Sequence, residues 1–338
     1  MITTVDGVPV HYTTHGTGPG LLLVHSAGAD NATTFGQLQD RFTDRYTVIA
    51  PDFSGSGGTP LPDEPLTVDL LAGQVAGVAR EVTDQPFDVV GFSMGSIVAA
   101  ALAAARPERV RRLVLISCWN RGDDPRQQRL LALSHRLADL DPQAYARFTA
   151  LSVFSGPFLA QAGHEAMDEI VALITLGTGV RAQMDLATRM DISDRLEHIT
   201  APALAIGAAQ DHWVPVSHAR ETAQRIKGCY YEEVDSGHMS VLERPAEVPD
   251  WSPLSSTPDR RPAPRPRSAG GDRDTARRPC SPHEERHTLP GQRSAARKNS
   301  LEGHPMTSPR SADAATAASR TSAGPLPAPA GRRPDGHR

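Results

Sequence analysis

Short apolar runs that alternate with helical segments restrict the fold of this chain more than any other feature of its sequence. The apolar runs predict strands at residues 21–24, 46–50, 87–90, 113–116, 203–206 and 229–234. The segments between them predict helices at residues 67–81, 97–105 and 217–226. Strands that are apolar on both faces and separated by helices form a mostly parallel sheet with helices on both sides. The sequence therefore predicts an α/β fold, preceded by a hairpin that turns at Asp6-Gly7.

The alternation stops between residues 119 and 195, where only helical periodicity is found. Two apolar stripes at helical spacing cross this segment: Leu130, Leu133, Leu137 and Leu140 form the first, and Met167, Ile170, Val171 and Ile174 form the second. We interpret this long helical insertion between two strands of the sheet as a lid.

Composition changes abruptly after residue 248. Residues 1–248 contain 19 Lys and Arg against 30 Asp and Glu, whereas residues 249–338 contain 16 against 9 and no Ile, Val or Phe. A segment with so few apolar side chains cannot bury enough surface to offset the entropy lost on ordering. We therefore predict a folded domain over residues 1–248, with its lid at about 119–195, and a disordered tail over residues 249–338.

The composition of the folded part argues against several classes of protein. An acidic surface is unsuited to nucleic acid, and the longest apolar run near a helix, residues 97–105, is too short to cross a membrane. The first six residues do not resemble a secretion signal. Cys118, Cys229 and Cys280 are odd in number and far apart, which argues against a disulfide framework or a zinc site. We expect a cytoplasmic protein that binds a small molecule, not nucleic acid or membrane; its oligomeric state is left open.

The pentapeptide Gly91-Phe92-Ser93-Met94-Gly95 is the most specific chemical signal in the sequence. It lies between a predicted strand and a predicted helix, which is the context in which a G-x-S-x-G turn presents its serine as a nucleophile. Glycines are needed there because the turn is tight and its neighbours pass close to the serine backbone. The N-terminus of the following helix favours developing negative charge. Ser93 is therefore the candidate nucleophile.

A serine hydroxyl needs a base to take its proton and an acid to orient that base. Asp211 and His238 each follow a predicted strand, so both lie at carboxyl ends of parallel strands, where open α/β sheets gather their functional residues. The chain order of serine, acid and histidine is the one found with the G-x-S-x-G turn. We predict that Ser93, Asp211 and His238 meet at one edge of the sheet, with Asp211 as the acid and His238 as the base.

Other titratable residues near these loops have weaker claims to a role. Asp235 lies three residues before His238 and is the alternative acid, although it more simply ends its strand. Structural or surface positions are predicted for five more residues: the loop-bracing Asp52, the loop-tying His25, the rim residue His212, and the strand residues Glu232 and Glu233.

Residues 8 to about 247 resemble the α/β-hydrolase superfamily with a helical lid. Besides the serine pentapeptide and the order of the three residues, three segments carry the resemblance: residues 24–28 resemble the family's His-Gly oxyanion loop, residues 52–57 the loop after its fourth strand, and residues 242–245 the run after its histidine. The spacing of the lid is similar to that of enol-lactone hydrolases and aminoacrylate hydrolases. The resemblance implies an α/β-hydrolase fold.

The resemblance also implies an oxyanion hole made of two backbone N–H groups. One belongs to Met94, the residue after the nucleophile, and the other to the loop after the third strand. Matching His25 to the family's histidine assigns the second donor to Ala27, with Ser26 as the neighbouring alternative. Ser26 stands where the family usually has glycine, and a serine disfavours a positive φ. The backbone conformation of this loop is therefore expected to differ from that of the family.

Together these residues predict a serine hydrolase that cleaves a small-molecule ester, thioester or lactone through an acyl-enzyme, without a metal or an organic cofactor. A largely apolar pocket between the sheet edge and the lid is predicted to be lined by Trp119, Phe154, Phe158, Trp213 and Met239. Three alternatives stay open: a cofactor-free perhydrolase or haloperoxidase-like enzyme with the same three residues, a C–C bond hydrolase, and a non-catalytic ligand-binding module on the same fold.

The tail replaces a helix that the family would place at this point. Residues 246–248 begin such a helix, but Pro249 and Pro253 interrupt it, and a proline inside a helix costs about 3 kcal/mol. The change in composition is what an out-of-frame reading of GC-rich DNA produces, and a genuine disordered extension is the alternative. Either origin would leave an apolar groove uncovered.

Deleting residues 249–338 is expected to leave activity and melting temperature nearly unchanged, and a large loss of either would contradict a disordered tail. Resequencing the gene and measuring the intact mass of the native protein distinguish a frameshift from a genuine extension.

Overall fold

The structure is a computed structural model, and it describes residues 1–247. The predicted tail, residues 249–338, lies outside the described residues.

An eight-stranded sheet forms the centre of the domain. Its strands are Ile2–Val5 (β1), Val8–His15 (β2), Gly20–Val24 (β3), Thr47–Pro51 (β4), Phe87–Phe92 (β5), Val110–Ile116 (β6), Ala203–Ala208 (β7) and Tyr230–Val234 (β8). Their order across the sheet is β1-β2-β4-β3-β5-β6-β7-β8. The pairs β1–β2 and β2–β4 are antiparallel, and every later pair is parallel. The prediction of a mostly parallel sheet is confirmed.

The central strands are buried along their whole length, which explains why they are apolar on both faces. Every residue of β3, β5 and β7 is buried. The first hairpin turns where predicted, with φ of 47° at Asp6 and 82° at Gly7. Positive φ at both central residues is typical of the tight turn that matches the twist of two antiparallel strands.

Helices cover both faces of this sheet. They are Asn31–Gln39 (α1), Val68–Val82 (α2), Met94–Ala105 (α3), Pro125–Leu140 (α4), Pro142–Val153 (α5), Gly156–Leu173 (α6), Thr178–Arg189 (α7), Val216–Arg225 (α8) and Ser240–Glu243 (α9). Apolar side chains of α2, α3 and α8 form one core with one face of the sheet, and those of α1 and α9 form a second core with the other face.

Side-chain caps determine where several helices begin. The Thr67 hydroxyl accepts a hydrogen bond from Leu70 N–H at 3.1 Å, so α2 starts one residue after the predicted boundary. Asp124 caps α4 in the same way through Gln127 N–H at 2.8 Å. A cap satisfies one of the N–H groups that the first turn of a helix leaves unpaired.

Helices α4 to α7 form the insertion between β6 and β7, as the sequence predicts for the lid. The first predicted stripe is wrong at two positions, because Leu133 is 44% exposed and Leu140 is 71% exposed. The buried positions of α4 are Gln127, Leu131, Ser134 and Ala138. Leu130 and Leu137 of the stripe are partly buried against the core, but polar residues occupy half of the fully buried face, which hydrophobicity alone did not indicate.

In the part of the chain that the structure describes, no single helix is long and apolar enough to cross a membrane. Within the same residues, α6 and α7 together are long and apolar enough for a membrane span, but they are bent by 87° relative to each other.

Candidate active site

Ser93 lies at the tight turn between β5 and α3. Its backbone has φ of 54° and ψ of −122°, and its N–H donates to the carbonyl of Ile116 at 2.9 Å. The glycines of the pentapeptide make this turn possible: a Cβ at Gly91 would lie 2.3 Å from the Gly95 carbonyl oxygen, and a Cβ at Gly95 would lie 2.0 Å from the Val24 carbonyl oxygen. Backbone therefore passes so close to the turn that no other residue fits at either position. The strained φ presents the serine side chain at the end of the strand.

Hydrogen bonds join Ser93, His238 and Asp211 into one chain. His238 Nδ1–H donates to Asp211 Oδ2 at 2.7 Å, and His238 Nε2 lies 2.8 Å from Ser93 Oγ. An ionised carboxylate can only accept, so the Nδ1 proton faces Asp211 and Nε2 is free to accept from the serine hydroxyl. All three side chains are buried. The structure thus brings together the three residues in an arrangement that lets His238 take a proton from Ser93.

Two backbone groups hold the carboxylate of Asp211 in place. Its Oδ1 accepts from Trp213 N–H at 2.8 Å and from Val214 N–H at 2.7 Å, which leaves Oδ2 directed at His238. Asp235, the alternative acid, is exposed and accepts instead from Gln210 Nε2 at 2.7 Å. The geometry favours Asp211 as the partner of His238.

The residues predicted to be structural or on the surface bond to neighbouring groups and not to Ser93 or His238. Asp52 Oδ1 accepts from Asn31 N–H at 2.9 Å and so braces the start of α1. His212 is exposed, and its carbonyl accepts from Arg126. Glu233 is also exposed and accepts from Arg220 and from the Tyr231 hydroxyl, whose hydrogen bond lowers the pKa of Glu233.

The His25 ring organises the loop after β3. Its Nδ1 lies 2.7 Å from the Ser26 carbonyl oxygen, and its Nε2 lies 3.2 Å from Phe53 N, whose N–H donates to it. The carbonyl can only accept, so Nδ1 carries the proton and the ring is neutral. Burial lowers the pKa of His25, which agrees with a neutral ring. His25 is therefore occupied in holding the loop.

The backbone of Met94 and of the loop after β3 lies beside Ser93 in the wall of one cavity, where an oxyanion site is expected. Met94 is the first residue of α3, so its N–H has no acceptor within the helix. In the loop after β3, the Gly28 N–H donates to a side chain of the lid, which leaves the N–H groups of Ala27 and Ser26 as the candidates. The positive φ of this loop falls at Gly28, at 73°, and not at Ser26, so the serine is accommodated without strain.

A cavity of about 180 Å³ lies over Ser93 and His238 and is enclosed largely by the lid. Four of the predicted pocket residues line it, namely Trp119, Phe154, Trp213 and Met239, and so do Ala27 and Met94. Phe158 is the exception and corrects the prediction: it is half-buried behind Phe154, on which it stacks with the ring centroids 5.0 Å apart.

Much of the cavity wall comes from lid residues that the sequence did not indicate, including Gln127, Tyr145, Val153, Ile174, Val180 and Met184. Burial raises the pKa of Tyr145, so its hydroxyl stays neutral. Trp119 Nε1 and Gln127 Oε1 are buried and have no hydrogen-bond partner among the described residues. An unpaired buried polar group is costly, and both residues line the cavity.

Comparison with known proteins identifies the family of this chain. The sequence profile of the alpha/beta hydrolase family matches residues 21–251, which is more than half of the chain. Pyrrolizixenacetamide deacetylase of Xenorhabdus hominickii is 37% identical over 246 residues, which cover 72% of this chain and 92% of that protein.

Solved structures show the same fold. The structure of BpoC from Mycobacterium tuberculosis H37Rv, named as a non-heme bromoperoxidase, is 29% identical, with a TM-score of 0.63 over 71% of this chain and 92% of that one. The enol-lactonase of Burkholderia xenovorans LB400 is 23% identical, with a TM-score of 0.64 over 72% of this chain and 95% of that one. The profile match and the shared fold bear out the resemblance noted in the sequence: the chain belongs to the alpha/beta hydrolase family.

Proposed function

We propose that this chain is a serine hydrolase that cleaves a small-molecule ester, thioester or lactone through an acyl-enzyme intermediate. The observation that carries the proposal is the chain of hydrogen bonds from Asp211 through His238 to Ser93, which ends at a mostly apolar cavity. Nucleophile, base and orienting acid in hydrogen-bond reach are the set that activates a serine. A relative named as a deacetylase supports a reaction at an acyl group.

In the first half of the reaction, Ser93 Oγ attacks the carbonyl carbon of the substrate while its proton passes to His238 Nε2. The carbonyl oxygen takes up the negative charge and accepts hydrogen bonds from the N–H groups of Met94 and Ala27. Asp211 stabilises the imidazolium that forms, because its Oδ2 already accepts from His238 Nδ1–H.

In the second half, His238 gives its proton to the leaving oxygen or sulfur, and the bond from the acyl carbon to that atom breaks. Water then enters, loses a proton to His238 Nε2 and attacks the acyl-enzyme. Collapse of the second tetrahedral intermediate releases the acid and returns the proton to Ser93 Oγ. Each step uses the same hydrogen bonds, so no further titratable group is required.

Acyl-chain length is expected to control the rate because the cavity is apolar and of limited volume. Measured on p-nitrophenyl esters from acetyl to dodecanoyl, kcat/KM should rise by up to about fourfold per added methylene, which corresponds to about 0.8 kcal/mol each. It should then fall once the chain exceeds the 180 Å³ cavity.

The same panel carries a thioester and an anilide of the preferred acyl group, so that the leaving group is the only variable, and a lactone of similar chain length as a cyclic ester. If only the anilide were hydrolysed, the enzyme would be an amidase and the proposed ester specificity would be wrong. A flat profile across all acyl lengths would contradict substrate binding in this cavity.

Perhydrolysis is a second candidate, supported by the 29% identity to the protein named as a non-heme bromoperoxidase. In that reaction hydrogen peroxide replaces water as the attacking group on the acyl-enzyme, and the product is a peracid. The test is bromination of a dye in acetate buffer with peroxide and bromide. A rate above that of ester hydrolysis, lost in a Ser93→Ala variant, would favour this candidate.

A further inference from the structure

A side chain of the lid holds the loop that follows β3. Gly28 N–H donates to Gln183 Oε1 at 3.0 Å. Gln183 lies in α7 and is fully buried. Its carboxamide nitrogen donates to the Ser54 carbonyl at 3.1 Å and to Ser56 Oγ at 2.9 Å, both in the loop after β4. One buried amide therefore ties the lid to two loops at the edge of the sheet.

The partners of Gln183 determine which way its carboxamide faces. The Gly28 N–H can only donate, and the Ser54 carbonyl can only accept. Turning the amide over would oppose donor to donor and acceptor to acceptor in a buried site, which is unfavourable. Gln183 therefore has a single orientation, with its oxygen on Gly28.

Two glycines bring α7 against the loop after β4. A Cβ at Gly179 would lie 2.0 Å from the Gly55 carbonyl oxygen, and Gly55 itself has φ of 86°. The first turn of α7 thus lies directly on the backbone of that loop. Gln183 follows one turn later, where it reaches both loops.

The same helix forms part of the wall of the cavity. Val180, Met184 and Ala187 line it and lie on the face of α7 that also carries Gln183. A Cβ at Gly28 would lie 3.4 Å from Val180 Cγ1. A ligand in the cavity therefore touches the helix that holds Gly28.

We propose that Gln183 is a positioning residue for the oxyanion hole. By holding Gly28, it sets the direction of the neighbouring Ala27 N–H, so the hole is complete only when α7 of the lid is docked. This inference rests on the proposed function. Its physical basis is that a donor stabilises an oxyanion best when it is aligned before the charge forms.

The test is the Gln183→Met variant, which keeps the length of the side chain and removes all three hydrogen bonds. Deleting one oxyanion donor typically costs about 10²–10³ in kcat, so misaligning one should lower kcat about 10- to 100-fold with KM nearly unchanged. Affinity for a boronic acid, which forms a tetrahedral adduct with Ser93, should fall by the same factor as kcat/KM. Affinity for the matching alcohol, which needs no oxyanion hole, should stay constant.

Two other glutamines, one buried and one exposed, provide the controls. Gln74 is 2% exposed and lies in α2, where it bonds the backbone N–H and hydroxyl of Ser54 and not Gly28. Gln128 lies in the lid and donates to the carbonyls of Gly122 and Thr188. Gln74→Met and Gln128→Met should leave boronate affinity nearly unchanged. An equal loss in Gln74→Met, or a Gln183→Met variant with raised KM and unchanged kcat, would overturn the proposal.

Hydrogen exchange separates this inference from the proposed function. The Gly28 amide should exchange faster in Gln183→Met than in the wild type, whether or not any ester is turned over; unchanged exchange would overturn the inference. Should that variant fail to fold, Ser56→Ala can replace it, because it removes one acceptor of the Gln183 amide. Exchange of the Gly28 amide should then be faster and kcat lower than in the wild type, each by a smaller factor than in Gln183→Met. A wild-type protein without hydrolysis would instead count against the proposed function.

Discussion

Ester hydrolysis is expected to fall about 10⁴- to 10⁶-fold in a Ser93→Ala variant, the range seen when an activated serine is removed. The reason is that the variant lacks the hydroxyl oxygen that attacks the substrate carbonyl, although His238 remains in place. The measurement is kcat/KM on the preferred ester, with circular dichroism to show that the fold is kept.

A fluorophosphonate should label the native protein once, on the peptide that contains Ser93, and should not label the variant. Ser134→Ala is a matched control, because Ser134 is also buried and its hydroxyl donates only to the Leu130 carbonyl within α4. Turnover that survives in Ser93→Ala, or labelling at another serine, would contradict the role proposed for Ser93.

The Asp211→Asn variant is expected to lose about 10⁴ in kcat. An amide nitrogen placed opposite His238 Nδ1–H would oppose two donors, so the imidazole would turn or change tautomer, and Nε2 could no longer accept from Ser93. The variant should keep most of its affinity for the matching alcohol, since Asp211 lies behind His238 and is absent from the cavity wall.

Asp235→Asn tests the alternative acid with the same chemical change. Asp235 is exposed and bonds Gln210, so its loss should change kcat by less than about threefold, as expected for a surface substitution. A larger effect at Asp235 than at Asp211 would show that the carboxylates had been assigned the wrong way round.

The strands and the sharp turn at Ser93 could be predicted because their signals are local. A run such as residues 21–24 is apolar at every position, and only a strand buried on both faces needs that pattern. Likewise, glycines at positions 91 and 95 are required by backbone contacts within the turn and with β3. The apolar run and the contact between Gly91 and Gly95 involve only neighbouring residues, so the sequence shows both; the contact of Gly95 with Val24 crosses to another strand.

The faces of the lid helices could not be predicted in the same way. Helical periodicity shows that α4 has sides but not which side is buried, and Leu133 and Leu140 proved to be exposed. The buried side carries Gln127, which lines the cavity, and Ser134, whose hydroxyl donates to the Leu130 carbonyl within the helix. The prediction of Phe158 as a pocket residue was wrong because its ring stacks on Phe154, which lines the cavity in its place.

What the sequence by itself determined is the α/β frame, the turn that carries Ser93 and the loops that carry Asp211 and His238, because each depends on neighbours in the chain. What only the tertiary structure decided is which groups meet across long separations. It directs Asp211 Oδ2 to His238 and Asp235 to Gln210, and it joins Gly28 to Gln183, 155 positions away. The bond between Gly28 and Gln183 depends on how the lid packs on the sheet, and the other two depend on how the loops after β7 and β8 meet. No local pattern encodes either arrangement.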